Sequence, residues 1–281
     1  MDTTGPEIPS IRAIPVTRFS EMMPWNIALD AMRVIAIPMP KSPDKTGSKS
    51  PSGARALKVR VKTAAKRTVS STRWLQRQLN DPYVVAAKRE GYRSRAAYKL
   101  IEIDDKYHLL KPGMAVVDLG AAPGGWSQVA ATRVKAESGK GFVVALDLTE
   151  VDTITGVDFL LADFMENDAP AKLIAALGGR RPEAVLSDMA SPATGHRQTD
   201  KLRIMGLCEA ALEFAVESLA PGGTFLCKVL QGGTSPELLD SMKRNFAVVR
   251  HVKPKASRAD SAELYVLATG FRGKPPNGDY P

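Results

Sequence analysis

Cysteine and histidine are scarce. Cys208 and Cys227 are the only cysteines in 281 residues, and His108, His196 and His251 the only histidines. So few thiols and imidazoles exclude a disulfide scaffold and any zinc-finger spacing, and no metal is expected. Long hydrophobic runs are missing as well, since nothing approaches the roughly 18 consecutive apolar residues that cross a bilayer. The most apolar early stretch, Met22 to Pro40, is broken by Asp30, Arg33 and prolines, and lacks the basic opening of a signal peptide. The expectation is a soluble, cytoplasmic chain with no membrane partner.

What the sequence does have is positive charge, and it is unevenly placed. The formal net charge is +9. Residues 1–40 carry three basic and four acidic side chains, residues 41–99 carry sixteen basic and three acidic, and residues 100–281 carry twenty basic and twenty-three acidic. A basic arm on a slightly acidic body reads either as a solvated tail or as an electrostatic footprint for a polyanion, because Lys and Arg that neutralise phosphates release counterions. The asymmetry favours the second reading and a nucleic-acid partner.

Residues 1–70 are rich in Pro, Gly, Ser, Thr and Lys without a sustained apolar period, which predicts a flexible basic extension. The first forty read either as unstructured sequence or as sequence ahead of a later start at Met32. Order is expected from Ser71. Trp74, Leu75 and Leu79 suggest a short helix, Pro82 opens another, and Ser94 is read as the cap of a third in which Ala96, Leu100, Ile103 and Tyr107 keep the helical period. Lys99 falls at the edge of that apolar stripe, an awkward place for a lysine.

From Met114 the pattern alternates. Apolar runs at 114–117, 142–146, 157–161, 184–187, 224–230, 246–249 and 264–268 are separated by helix-like stretches, notably 124–136, 199–219 and 235–245. Continuous apolar strands divided by helices imply one α/β domain over 71–272, a mostly parallel sheet covered on both faces, followed by a short tail over 273–281.

The first strand runs into Asp118-Leu119-Gly120-Ala121-Ala122-Pro123-Gly124-Gly125-Trp126, and a helix follows. A glycine turn between strand and helix lets a ligand approach the backbone. The spacing matches neither G-x-G-x-x-G nor a phosphate-binding loop ending in Gly-Lys-Ser/Thr. An acidic residue beside the turn suits a cationic ligand better than a pyrophosphate. Asp147, closing the second strand, can accept hydrogen bonds from ribose hydroxyls, and Asp163, after the third, can receive an adenine amine. Three carboxylates at successive strand ends outline one nucleoside pocket, and the inferred ligand is S-adenosylmethionine.

The run Val117-Asp118-Leu119-Gly120-Ala121-Ala122-Pro123-Gly124-Gly125-Trp126-Ser127-Gln128, then Ser187-Asp188-Met189-Ala190, then Lys228-Val229-Leu230-Gln231-Gly232, resembles the bacterial RrmJ/FtsJ (RlmE) ribosomal RNA 2′-O-methyltransferases. The likeness extends over about residues 71–271 and includes Ser94-Arg95-Ala96-Ala97-Tyr98-Lys99-Leu100. It implies a Rossmann-like S-adenosylmethionine-dependent methyltransferase fold, a seven-stranded mostly parallel sheet with helices on both faces and one antiparallel strand near its edge. It implies methylation of a uridine 2′-hydroxyl in the A loop of large-subunit 23S rRNA by a monomeric enzyme. The family's catalytic tetrad falls on Lys99, Asp188, Lys228 and Glu263, and its cofactor contacts fall on Gly124, Trp126, Asp147, Asp163 and Asp188. Ser191 departs from the family pattern, which commonly has Pro there; Pro192 follows one residue later.

These residue types suit the chemistry. A sugar oxygen displaces the methyl of a sulfonium, which requires alignment and loss of a proton from a weak acid. Lys228 lies in the apolar strand Phe225-Leu226-Cys227-Lys228-Val229-Leu230, where a lysine calls for a partner or a purpose. Burial and a neighbouring Lys99 are expected to lower its pKa and free the amine as general base. Asp188 is placed to steer both amine and methyl donor, and Glu263, opening the last strand, to hydrogen-bond a lysine or the ribose. Arg73, Arg77, Lys88, Arg89, Arg93 and Arg95 are read as phosphate grips, and Tyr92 as a base-stacking or packing residue. Both cysteines are expected in the core. The competing readings are a transfer-RNA 2′-O-methyltransferase and a non-catalytic RNA-binding assembly factor.

Overall fold

Apolar strands that bury both faces need helices on both sides, and the computed structural model has that arrangement. It describes Thr63 and residues 68–273. The flexible extension expected over 1–70 and the tail over 273–281 therefore lie almost wholly outside the described residues.

Helix α1 (Val69–Leu79) starts two residues ahead of Ser71, because Thr68 Oγ1 accepts the Ser71 N–H at 3.3 Å and so supplies the cap. Helix α2 (Pro82–Glu90) opens on Pro82 as expected, with Asp81 accepting from the Tyr83 N–H at 3.0 Å. Helix α3 (Ala97–Tyr107) corrects the reading of Ser94 as its cap. The N-cap is Ala96, with no side-chain bond, and the buried Ser94 Oγ has no hydrogen-bond partner. Ser94 is turned instead against the next helix, where a Cβ added at Gly125 would lie 2.5 Å from its Oγ.

The sheet has seven strands: β1 (Ala115–Leu119), β2 (Phe142–Asp147), β3 (Val157–Leu161), β4 (Ala184–Ser187), β5 (Thr224–Leu230), β6 (Phe246–Val252) and β7 (Glu263–Phe271). Their order is β3-β2-β1-β4-β5-β7-β6. All pairs from β3 to β5 are parallel, whereas β7 runs antiparallel to both β5 and β6. The antiparallel strand thus sits one place in from the edge.

Alternation along each strand divides the core. Val116, Val143, Leu186, Leu226 and Leu267 pack with α3 and α4 (Gly125–Val134) on one face. Val117, Val144, Val185, Phe225 and Val266 pack with α5 (Ala169–Ala176), α6 (Arg197–Ser218) and α7 (Pro236–Asn245) on the other. Helix α5 was not among the stretches read as helical. Its eight residues bury only Ala169 and Leu173, too short a stripe for periodicity to register. Cys208 and Cys227 are both buried free thiols, as expected. No helix among the described residues is long and apolar enough to cross a membrane.

Candidate active site

Strand order reverses between β1 and β4, whose connections leave in opposite directions, and in open α/β sheets the crevice that takes a ligand lies at such a point, at the carboxyl ends of the strands. Asp118 lies within β1, Asp147 ends β2, Asp163 follows β3 by two residues, and Asp188 follows β4 by one. The antiparallel direction of β7 brings its first residue to this same end. Glu263 registers with Leu230 and Tyr265 with Lys228. Four residues separated by up to 164 positions in sequence therefore converge.

Their geometry is close. Lys228 Nζ lies 2.8 Å from Asp188 Oδ1 and donates to the Asp188 backbone carbonyl at 2.8 Å. Lys99 Nζ lies 2.8 Å from both oxygens of Glu263 and 3.8 Å from Asp188 Oδ2. Lys228 Nζ and Glu263 Oε2 are 3.9 Å apart. The four side chains are only 10–17% exposed, so these charges are held largely out of water. Two cations interleaved with two anions offset part of a burial cost that any one alone would bear in full.

One expectation is overturned here. Burial does push the Lys228 ammonium toward neutrality, but Asp188 and Glu263 outweigh it and hold the group above the usual lysine range. Lys99, the cation expected to depress it, is itself held against Glu263. Burial likewise pushes the Asp188 carboxyl up, and Lys228 and Lys99 outweigh it and bring it below the ordinary carboxylate range.

Two partners escaped the sequence reading. Tyr265, fully buried, donates its hydroxyl to Asp188 Oδ1 at 2.7 Å and packs its ring on Trp126 at a centroid distance of 5.5 Å. The alternation Glu263-Leu264-Tyr265 already placed Tyr265 on the face of Glu263, a signal that was available. Ser257 donates to Glu263 Oε1 at 2.8 Å from the loop before β7, where no pattern marked it.

The glycine turn is tight. Gly120 and Gly124 have φ of +76° and +105°. A Cβ on Gly120 would lie 2.7 Å from the Met189 Cα, and one on Gly124 would lie 2.8 Å from Ile154 Cδ1. Only glycine keeps this backbone open and unstrained. Asp147 braces the turn, accepting from the Ala122 N–H at 2.9 Å and the Thr149 N–H at 2.8 Å. Each carboxylate oxygen still has lone-pair capacity for ribose hydroxyls. Asp163 accepts from the Met165 N–H at 2.9 Å. Trp126 is different. Its ring is buried and its indole N–H donates to the Ala96 carbonyl at 2.9 Å, so only its backbone, in the first turn of α4, can meet a ligand.

Asp118 supplies the sharpest test of what the crevice accepts. It is fully buried, Oδ2 accepts from Ser127 Oγ at 2.6 Å, and Oδ1 has no partner. Burial pushes its carboxyl up to about 7; the Ser127 bond opposes this, and Asp188 and Asp147 add to it. A crevice bordered by three acids, one with an unsatisfied oxygen, fits a ligand carrying positive charge and vicinal hydroxyls, as S-adenosylmethionine does. Stability follows from the same shift. A raised folded-state pKa favours the neutral form, so that contribution is complete below the unfolded value near 4 and is lost as pH rises through 7. Asp118→Asn is uncharged throughout. Its melting temperature relative to wild type should therefore climb by several degrees between pH 5 and pH 8, and parallel profiles in thermal denaturation would contradict the assignment.

The arginines expected to grip phosphates are mostly engaged. Arg93 donates to the carbonyls of Asp152 and Thr153 at 2.6 and 2.9 Å and to the Pro123 carbonyl at 3.5 Å, lashing the segment after β2 to the glycine turn. Arg95 pairs with Asp81 at 3.1 Å and donates to the Ala256 carbonyl, and Arg258 joins the same carboxylate at 3.3 Å. Arg89 pairs with Glu90 at 2.8 Å. Arg77 lies 4.0 Å from Asp260. Tyr92 is half-buried and packs edge-on against Tyr98 at 5.7 Å, the packing alternative of its two readings. Among the described residues no cluster of His, Cys, Asp and Glu is arranged to hold a metal ion.

Residues 92–271, which include every strand of the sheet and all four charged residues of the crevice, match the family described as FtsJ-like methyltransferase. Ribosomal RNA large subunit methyltransferase E of Parvibaculum lavamentivorans is 63% identical over 241 residues, which is 83% of this chain and 94% of that protein. The protein of the same name from Bradyrhizobium sp. (strain BTAi1) is 65% identical over 220 residues, 78% of this chain and 95% of its own. Among solved structures, a protein from Plasmodium falciparum described as a ribosomal RNA methyltransferase is 31% identical, covering 65% of this chain and all of that one with a TM-score of 0.58. On the glycine turn, the strand-end carboxylates and this match, the chain belongs to the FtsJ-like methyltransferase family.

Proposed function

We propose that this enzyme methylates the 2′-hydroxyl of a uridine ribose in the A loop of 23S rRNA, acting as a monomer in the cytoplasm on the large ribosomal subunit. The observation that carries the reading is the buried Lys228 amine, fixed by the carboxylate and the carbonyl of one residue, Asp188, at the mouth of the crevice. The names of the relatives, at 63–65% identity, support ribosomal RNA as substrate. S-adenosylmethionine, when bound, supplies a methyl group activated on a positively charged sulfur.

Gly120 and Gly124 keep the turn open for the donor, Asp147 and Asp163 suit its ribose and adenine, and Asp188 borders the reacting end. Lys228 takes the proton from the attacking hydroxyl. In the unliganded chain its ammonium is favoured by Asp188 and Glu263. Positive charge brought beside Asp188 competes for that carboxylate and disfavours the ammonium form, which moves the amine toward its role as base. Lys99, held by Glu263, adds to this repulsion and is placed to orient the ribose oxygen. The Tyr265 hydroxyl and Ser257 keep the two carboxylates in register.

Incubating the purified protein with methyl-labelled S-adenosylmethionine and unmodified large subunits is expected to label one ribose in the A loop, mapped by resistance of the adjoining phosphodiester to alkali. Label in transfer RNA alone, or in no RNA, would overturn the reading.

A further inference from the structure

The carbonyls and carboxylates that occupy Arg93 and Arg95 raise the question of what does hold the polyanion. We propose that a groove between the amino-terminal ends of α6 and α7 carries the RNA strand adjoining the target nucleotide, with Lys201 and Arg197 gripping its phosphates. This rests on the reading of the enzyme as an RNA methyltransferase.

The groove encloses about 1,290 Å³. That exceeds the roughly 300–1,000 Å³ of small-molecule pockets and suits a chain passing through. Its walls are the start of α6 with Gly195 and His196 before it, the turn from Leu230 to Pro236, and residues 259–262. It adjoins the catalytic charges directly. Leu230 registers with Glu263 across the strand pair, and Ser261, on the groove wall, accepts the Glu263 N–H through its Oγ at 3.2 Å. A polymer whose ribose reaches Lys228 must continue past this end of the sheet, and the groove is the open path on the α6/α7 side.

Its cations are free. Lys201 and Arg197 form no ion pair among the described residues, in contrast to Arg89, Arg95 and Arg258. The Lys201 ammonium lies over the Gly232 turn, 3.3 Å from where a Cβ at 232 would sit, so glycine there leaves the charge uncovered. The helix dipoles are not the attraction, since His196 and Ser235 already cap α6 and α7 with their own side chains. Two acids are also on the wall. Asp200 is held by the Thr194 N–H and hydroxyl at 2.8 and 2.7 Å, and Asp260 faces Arg77. Binding therefore depends on the two individual cations and not on a uniform field. Leu202 and Met205 line the same groove, with Leu202 60% exposed, and supply the apolar surface on which a base can lie.

The test pairs Lys201→Gln with Arg197→Gln in the full chain, with Lys140→Gln, before β2 at the opposite end of the sheet, as control. RNA binding is read by filter retention of a labelled A-loop fragment across a salt series, S-adenosylmethionine affinity by calorimetry, and KM and kcat on large subunits. Removing two phosphate contacts should weaken RNA binding about tenfold and lower the slope of log affinity against log salt by roughly 1–2. The KM for the subunit should rise with it, while kcat, cofactor affinity and the control stay near wild type. Unchanged RNA affinity and salt slope, or an equal loss in the control, would overturn the groove. Wild type that binds RNA but methylates none would instead sink the functional reading, and the binding measurements would still decide the groove.

Discussion

Lys228→Ala is expected to lower turnover by about a thousandfold or more, within the roughly 10²–10⁴ that positioned general bases contribute together with the loss of alignment. Cofactor affinity should stay level or tighten, because the variant leaves Asp188 with less positive charge beside it, and calorimetry reads this directly. Lys228→Arg should be equally inactive, since a guanidinium keeps the ion pair with Asp188 but does not deprotonate. The charge state adds a pH signature. The free-enzyme ammonium is held above the usual lysine range, so the neutral fraction is small and grows tenfold per pH unit throughout the accessible window. The logarithm of kcat/KM for S-adenosylmethionine, which reports the donor-free enzyme, should therefore climb with unit slope from pH 6 to 9. A plateau near neutrality, or an active arginine variant, would remove Lys228 from the role of base.

The second large effect is on stability. Asp188→Ala removes the carboxylate shared by Lys228, Lys99 and the Tyr265 hydroxyl, leaving two mostly buried cations with Glu263 alone. Breaking a buried pair on one side costs about 3–5 kcal/mol. For a domain of this size that is a fall in melting temperature of roughly 10 °C. The sign with pH follows from the depressed folded-state pKa of Asp188. Its contribution is present above the unfolded value near 4 and is lost as pH falls below it, so the gap between variant and wild type should narrow in acid. Adding Lys228→Met to Asp188→Leu should recover part of the loss, because an apolar pair of similar volume avoids the unpaired charge. A single variant melting within about 2 °C of wild type would show that the cluster is not the electrostatic unit described.

The alternation of apolar strands and helices is legible because burial on both faces leaves a continuous hydrophobic signature, and five of the seven strand positions follow from it alone within a residue or two. The exceptions are β6, whose exposed Arg250 and His251 hide its second half, and β7, which runs on through Thr269 and Gly270 to Phe271, three residues past its apolar run. The start of α3 at Ala97 differs from a reading that takes Ser94 as cap by residue type, since Ser94 faces Gly125, and α1 begins at Val69, two residues ahead of Ser71, because Thr68 does the capping. Tyr265 escaped notice because a tyrosine in an apolar strand is unremarkable until the register sets it opposite Lys228.

Residue order by itself determined the strand–helix alternation, the glycine turn and the carboxylates at successive strand ends, because each depends on neighbours within a few positions and on the two-residue and 3.6-residue periods. Tertiary structure decided the rest: that Arg93 and Arg95 serve the fold, that Trp126 offers only its backbone, and that Lys228 rests as an ammonium. The reason is physical. Charge state and hydrogen-bond partnership depend on distances of about 3–4 Å and on exclusion of water. Residues 99, 188, 228 and 263 acquire those distances only when an antiparallel β7 returns to the carboxyl end of β5.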